Sequence, residues 1–175
     1  MHTSTSARNG SRRTRARSHS ESGSAIIEFA LTILPLLGFV FLTMDIAWGI
    51  FAKASLQEAA REGVRFAVTC QILPPNTGLD ASIRQVVQQY SFGFVTSANA
   101  SSAVSIAYYA PNNLSTPVTG TATATAGGNI VQVSVGGISV RSFAPFLRTG
   151  GTSLNPSAIA SDVMESSPGG IPCLE

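Results

Sequence analysis

Few side chains in this 175-residue sequence could do chemistry, and they are unevenly placed. Both histidines, His2 and His19, lie near the start, and none follows residue 23. That excludes Ser–His and Cys–His nucleophilic machinery, and ordinary His-ligated zinc, from everything beyond that point. The carboxylates past residue 70 are Asp80, Asp162, Glu165 and Glu175, with nothing that marks an acid–base pair. The Gly-Gly pairs lack the lysine and following helix of a phosphate-binding loop. The sequence therefore predicts no enzyme, no cofactor and no metal site. Two kinds of chemistry remain. One is centred on the Gly23-Ser24 junction at the head of a long apolar run, with Glu28 five residues past Gly23. The other is the thiol pair Cys70 and Cys173.

The elements that carry these residues follow from where charge and apolar side chains fall. Charged residues are only 11% of the chain and hydrophobic ones 44%, against about 25% charged for a soluble domain. Five of the eleven basic residues, Arg8, Arg12, Arg13, Arg15 and Arg17, crowd the first seventeen positions. The composition of that tail predicts no stable fold of its own. A long apolar run then begins at Ser24, uncharged from Phe29 to Met44 and broken only by Asp45 before Ala52. About 20 apolar residues span a bilayer, so residues 24–52 read as a transmembrane helix. The arginines before it form a positive-inside signal, which predicts a cytoplasmic N-terminus and an extracytoplasmic remainder. The leader 1–23 holds five arginines and Glu21, leaving six basic and eight acidic residues beyond it. The basic balance thus belongs to the topology signal, and nucleic acid is not an expected partner.

An ordinary signal peptide would offer Ala52-Lys53-Ala54 as its cleavage site, but its apolar core would be shorter than this run. Arg12-Arg13 gives only a weak twin-arginine signal. The helical pattern also continues past the membrane through residues 53–70, with Leu56, Ala59, Ala60, Gly63, Val64 and Ala67 at helical spacing. Glu58–Arg61 and Glu62–Arg65 are i,i+3 pairs on it. Pro35 predicts a kink. Asp45 within an apolar helix is costly. Gly38, Asp45, Gly49 and Ala52 share roughly one side, so that stripe either meets a partner helix that solvates Asp45 or leaves Asp45 at the outer headgroups.

Gly23-Ser24-Ala25-Ile26-Ile27-Glu28-Phe29 resembles a prepilin-type leader, which prepilin peptidases cut after the glycine. A flexible glycine there would ease a bend between leader and helix, and Glu28 would enter the first helical turn of the cut chain, where the helix dipole favours it. The resemblance implies an N-terminal amine as the partner of Glu28; the alternative is an interfacial carboxylate that snorkels to water. The wider run Glu28-Phe29-Ala30-Leu31, Pro35, Asp45, Gly49, Leu56-Gln57 and Ala59-Ala60-Arg61-Glu62-Gly63-Val64-Arg65 resembles the TadE-like proteins of tight-adherence (Flp-type) pilus systems. The resemblance implies a pseudopilin of the bacterial inner membrane. The prepilin peptidase, pilin subunits, other assembly proteins and further copies of itself would be its partners, beside the lipid bilayer. Gly38, Asp45, Gly49, Arg61 and Arg65 would be its interaction positions. The competing reading is a bitopic binding module that keeps its leader and recruits a secreted or envelope partner.

Residues 71–175 read as a small extracytoplasmic α+β domain with an antiparallel sheet. Pro74-Pro75 ends the long helix, and residues 79–90 form a second, short one. Residues 92–102 show no clear period. Strands are expected at 103–109, ended by Pro111-Asn112-Asn113, and at 131–135 and 157–165. Residues 116–128 are an edge strand or a linker. The phase slip after Gly136-Gly137 predicts a bulge or a tight hairpin, closed by residues 143–147. A Cys70–Cys173 bond would close a loop of about 100 residues, for which the chain-entropy account gives about 4.7 kcal/mol. Two free or intermolecular thiols are the alternative.

Overall fold

The computed structural model of the protein describes residues 18–141 and 153–165. The arginine-rich tail, the segment 143–147 and Cys173 lie outside them. The chain divides into two compact units, Met1–Phe41 and Leu42–Glu175.

The first unit, as described, is the opening half of helix α1, Ser18–Val68. Its large apolar side chains are exposed, among them Ile27, Leu31, Leu34 and Phe39. Leaving each such side chain in water forgoes about 1.5–3 kcal/mol, so this stretch suits a lipid surrounding. The helix from Gly23 to Val68 is long and apolar enough to cross a membrane. One expectation changes here. The helix starts before Gly23 and continues through it, rather than beginning after it, and Pro35 lies inside the helix rather than ending it. A glycine inside a helix costs about 1 kcal/mol relative to alanine, less than a backbone group left unbonded at apolar depth.

The second unit is α+β. After α1 come α2 (Leu79–Tyr90), α3 (Ala100–Ala103), β1 (Val104–Ala110) and β2 (Asn113–Pro117). Then follow α4 (Thr121–Ala124), β3 (Ile130–Val135), β4 (Val140–Arg141), β5 (Ser153–Leu154) and β6 (Ala158–Val163). The main sheet has order β2-β1-β3-β6, and β4 and β5 form a separate ribbon. All pairings are antiparallel. In register, Val104, Ile106 and Tyr108 face Val135, Val133 and Val131, which face Ala158, Ala160 and Asp162. Val131, Val133 and Val135 are fully buried, while Gln132 and Ser134 alternate with them on the open face. This is the period-2 pattern of a sheet with one covered side.

Ala52, Ser55, Leu56, Ala59, Ala60, Val64 and Ala67 of α1 supply one wall of the core, and Leu79, Ile83 and Val87 of α2 supply another. Gly63 sits where helix, helix and sheet meet. A Cβ placed there would lie 2.7 Å from Val87 Cγ2 and 3.6 Å from both Ile83 Cγ2 and Val133 Cγ1. Tyr108 Oη donates to Asp80 Oδ1 at 2.8 Å, joining β1 to the first turn of α2. Ser82, fully buried, accepts from the Leu73 N–H at 3.0 Å and donates to the Gly78 carbonyl at 2.8 Å. Ser82 thereby ties the Pro74-Pro75 linker to α2.

Two readings of the outer region need correction, and the segment without a period gains a helical turn. Residues 116–128 are neither one strand nor a linker, because β2 opens at Asn113 and α4 follows as a helical turn. The segment between Tyr90 and β1, without a visible period, contains α3. After Val135 the chain leaves the main sheet rather than folding back on β3, with Gly137 at φ +69°, and pairs as β4 with β5.

Gly63→Ala should destabilise the detergent-solubilised protein by about 1 kcal/mol. The clash with stiff Val87 costs about 1–3 kcal/mol, and the helix-propensity gain of about 1 kcal/mol offsets part of it. A raised thermal midpoint would refute the close approach. Ser82→Ala should cost about 1–3 kcal/mol in urea unfolding, because the Leu73 N–H loses its acceptor.

Candidate functional site

The sequence-predicted positions that fall within the described residues lie on or just past α1, and the structure gives them three different settings. Gly23, Ser24 and Glu28 are exposed. Thr32 Oγ1 donates to the Glu28 carbonyl at 2.9 Å, so that carbonyl is served within the helix while the carboxylate faces outward. In the intact chain Glu28 lies well inside a helix that began at Ser18. It would enter the first turn only in a chain that starts at Ser24. The bond between Gly23 and Ser24 is itself helical, and a Cβ at Gly23 would meet nothing within 4 Å.

The stripe of Gly38, Asp45, Gly49 and Ala52 is the second setting. Nothing lies within 4 Å of a Cβ at Gly38. From Asp45 onward, the second unit covers its own part of the stripe. Asp45 is 5% exposed and engaged in a polar interaction. A Cβ at Gly49 would lie 3.1 Å from Leu154 Cδ1 of β5, and Ala52 is fully buried. Asp45 and Gly49 line a cavity of about 440 Å³ with Leu42, Ile46, Ile50, Lys53, Leu154, Asn155 and Pro156. Here the glycine admits a strand from the same chain, which needs no second helix.

The third setting is the far side of the helix extension. Arg61 and Arg65 are exposed, opposite the buried small residues. Arg65 Nη1 reaches Glu62 Oε1 at 3.8 Å. An exposed pair of this kind is worth under about 1 kcal/mol. Among the described residues Glu58 and Arg61 form no such pair. Cys70 closes α1 in the left-handed conformation, φ +55°, its N–H donating to the Ala67 carbonyl at 3.1 Å. Cys70 is disulfide-bonded, and Cys173 falls outside the described residues. Among the described residues no three His, Cys, Asp or Glu side chains converge on a metal-sized site.

Sequence reasoning did not single out the aromatic group at the outer end of the apolar run. The Trp48 ring stacks on Phe51 with centroids 5.6 Å apart and meets Phe94 at 5.8 Å. Phe51 meets Phe92 edge-on at 5.9 Å and Phe94 at 6.2 Å. Phe92 and Phe94 come from a stretch with no periodicity, so only the fold brings them to the helix.

No match is found among curated proteins or among solved structures. One family model does match, that of the TadE-like proteins, over residues 23–65. Those residues take in the exposed Gly23–Glu28 positions, the stripe through Asp45 and Gly49, and the packing helix up to Arg65, and over this stretch α1 is similar to the TadE-like proteins.

Proposed function

We propose that the chain is a TadE-like pilus assembly protein, a pseudopilin of a tight-adherence (Flp-type) system. In this reading α1 anchors it in the bacterial inner membrane as a single-pass protein. The arginine-rich leader stays cytoplasmic, and the unit carrying the sheet is extracytoplasmic. A prepilin peptidase removes the leader after Gly23. The cut chain then works in pilus biogenesis and adherence, alongside pilin subunits, other assembly proteins and copies of itself. Its work is assembly and interaction rather than catalysis. The observation that carries this reading is the TadE-like match, which opens at Gly23 and runs along a helix long and apolar enough to cross a membrane.

A second reading keeps the leader and makes the protein a bitopic binding module for a secreted or envelope partner. The helix that passes unbroken through Gly23 favours it.

The N-terminal sequence of the exported protein separates the two. A chain that starts at Ser24 supports the first reading, and an intact arginine-rich tail supports the second. A start at Ser55 would sink both. With processing, Gly23→Ala should slow leader removal and Glu28→Ala should impair piliation. Normal piliation in both variants counts against the pseudopilin reading.

A further inference from the structure

We infer that the loop at residues 91–95 inserts Phe92 into the outer lipid interface of the bilayer that α1 crosses. The inference rests on the membrane-anchor reading of α1. Phe92 is 73% exposed. It holds φ +51°, next to Gly93 at +86°, a strained conformation that non-glycine residues rarely adopt. Fully buried Ser91 fixes the loop. Its Oγ accepts from the Val95 N–H at 3.1 Å, and its carbonyl accepts from the Phe94 N–H at 3.1 Å. The loop therefore holds a large apolar side chain outward in a strained conformation, and collapse of the loop does not hide it.

Lipid is the occupant because of what adjoins the ring. Phe92 touches Phe51, which belongs to the exposed apolar face of α1 with Ile46 and Ile50. That face must itself be covered by the bilayer. Counted along the sequence, the exposed apolar residues run from Ile26 to Phe51. At 1.5 Å per residue the run measures about 39 Å. That exceeds the roughly 30 Å hydrocarbon core and ends within the headgroup region. Trp48 lies beside Phe51 at this end, where aromatic rings favour the interface, and Lys53 follows, able to snorkel to water.

Trp48 is the only tryptophan, which permits a direct test. In a Trp48→Phe background, Phe92→Trp and, separately, Leu37→Trp are placed in the full-length chain in phosphatidylcholine vesicles. Emission is read with and without acyl-brominated lipid. The expected result is blue-shifted emission and quenching by shallowly brominated lipid for Phe92→Trp, with quenching by deeply brominated lipid for Leu37→Trp. Quenching at 37 but red-shifted, unquenched emission at 92 overturns the inference and leaves the anchor standing. Blue-shifted but unquenched emission at 92 places the ring against protein, such as a second copy, and also overturns it. Absence of quenching at 37 removes the anchor and the inference together.

Discussion

The fold of the second unit depends on how closely backbone can approach backbone along one side of α1. A helix that must seat both another helix and a sheet has no room there for large side chains. Ala52, Ser55, Ala59, Ala60, Gly63 and Ala67 meet that limit, and Leu56 and Val64 fill the spaces between them. Gly63 marks the tightest point, with Val87 occupying the place a Cβ would take. Ser55 hides its hydroxyl by donating to the Phe51 carbonyl at 2.8 Å, so even the polar member of the row adds no unsatisfied group to the core.

Given that approach, the rest of the core is economical. The sheet contributes one valine-rich side, centred on β3, and its edge strands are mostly exposed. A domain of this size, rich in Ser, Thr, Gly and Ala, buries little apolar area of its own. The shared wall of α1 makes up the difference. Buried polar contacts then fix positions that apolar packing leaves open. Ser82 holds the linker to α2, Tyr108 holds β1 to Asp80, and Asn129 Nδ2 donates to the Ala124 carbonyl at 3.0 Å to steady the turn before β3. The last strand is anchored beyond its own ladder, because the Met164 N–H donates to the Asn129 carbonyl at 2.7 Å.

Residues that signal through local periodicity were legible in the sequence. The 3.6-residue recurrence from Leu56 to Ala67 and from Leu79 to Tyr90 placed α1 and α2, and the alternation of Val131, Val133 and Val135 placed β3. What stayed hidden depends on contacts distant in sequence. Asn113 begins a strand only because β1 lies beside it. The turn at Gly137 leads away from the sheet because β6, not β4, takes the place beside β3. The site was legible in part. Glycine and aspartate within an apolar helix stand out by type, so Gly38, Asp45 and Gly49 could be named. That Leu154 would cover Gly49 could not be read, since a two-residue strand carries no pattern. The ring cluster around Phe51 was invisible for the same reason.

The helical geometry at Gly23 has a kinetic consequence. Any endoprotease that needs an extended chain at the Gly23–Ser24 bond must wait for the surrounding turns to open. When opening and closing are fast, the rate of cutting follows the open fraction. Glycine in place of alanine weakens a helix by about 1 kcal/mol, which raises that fraction about fivefold. The leader and the helix would then be separated by a conformational gate whose set point is written in a single missing methyl group.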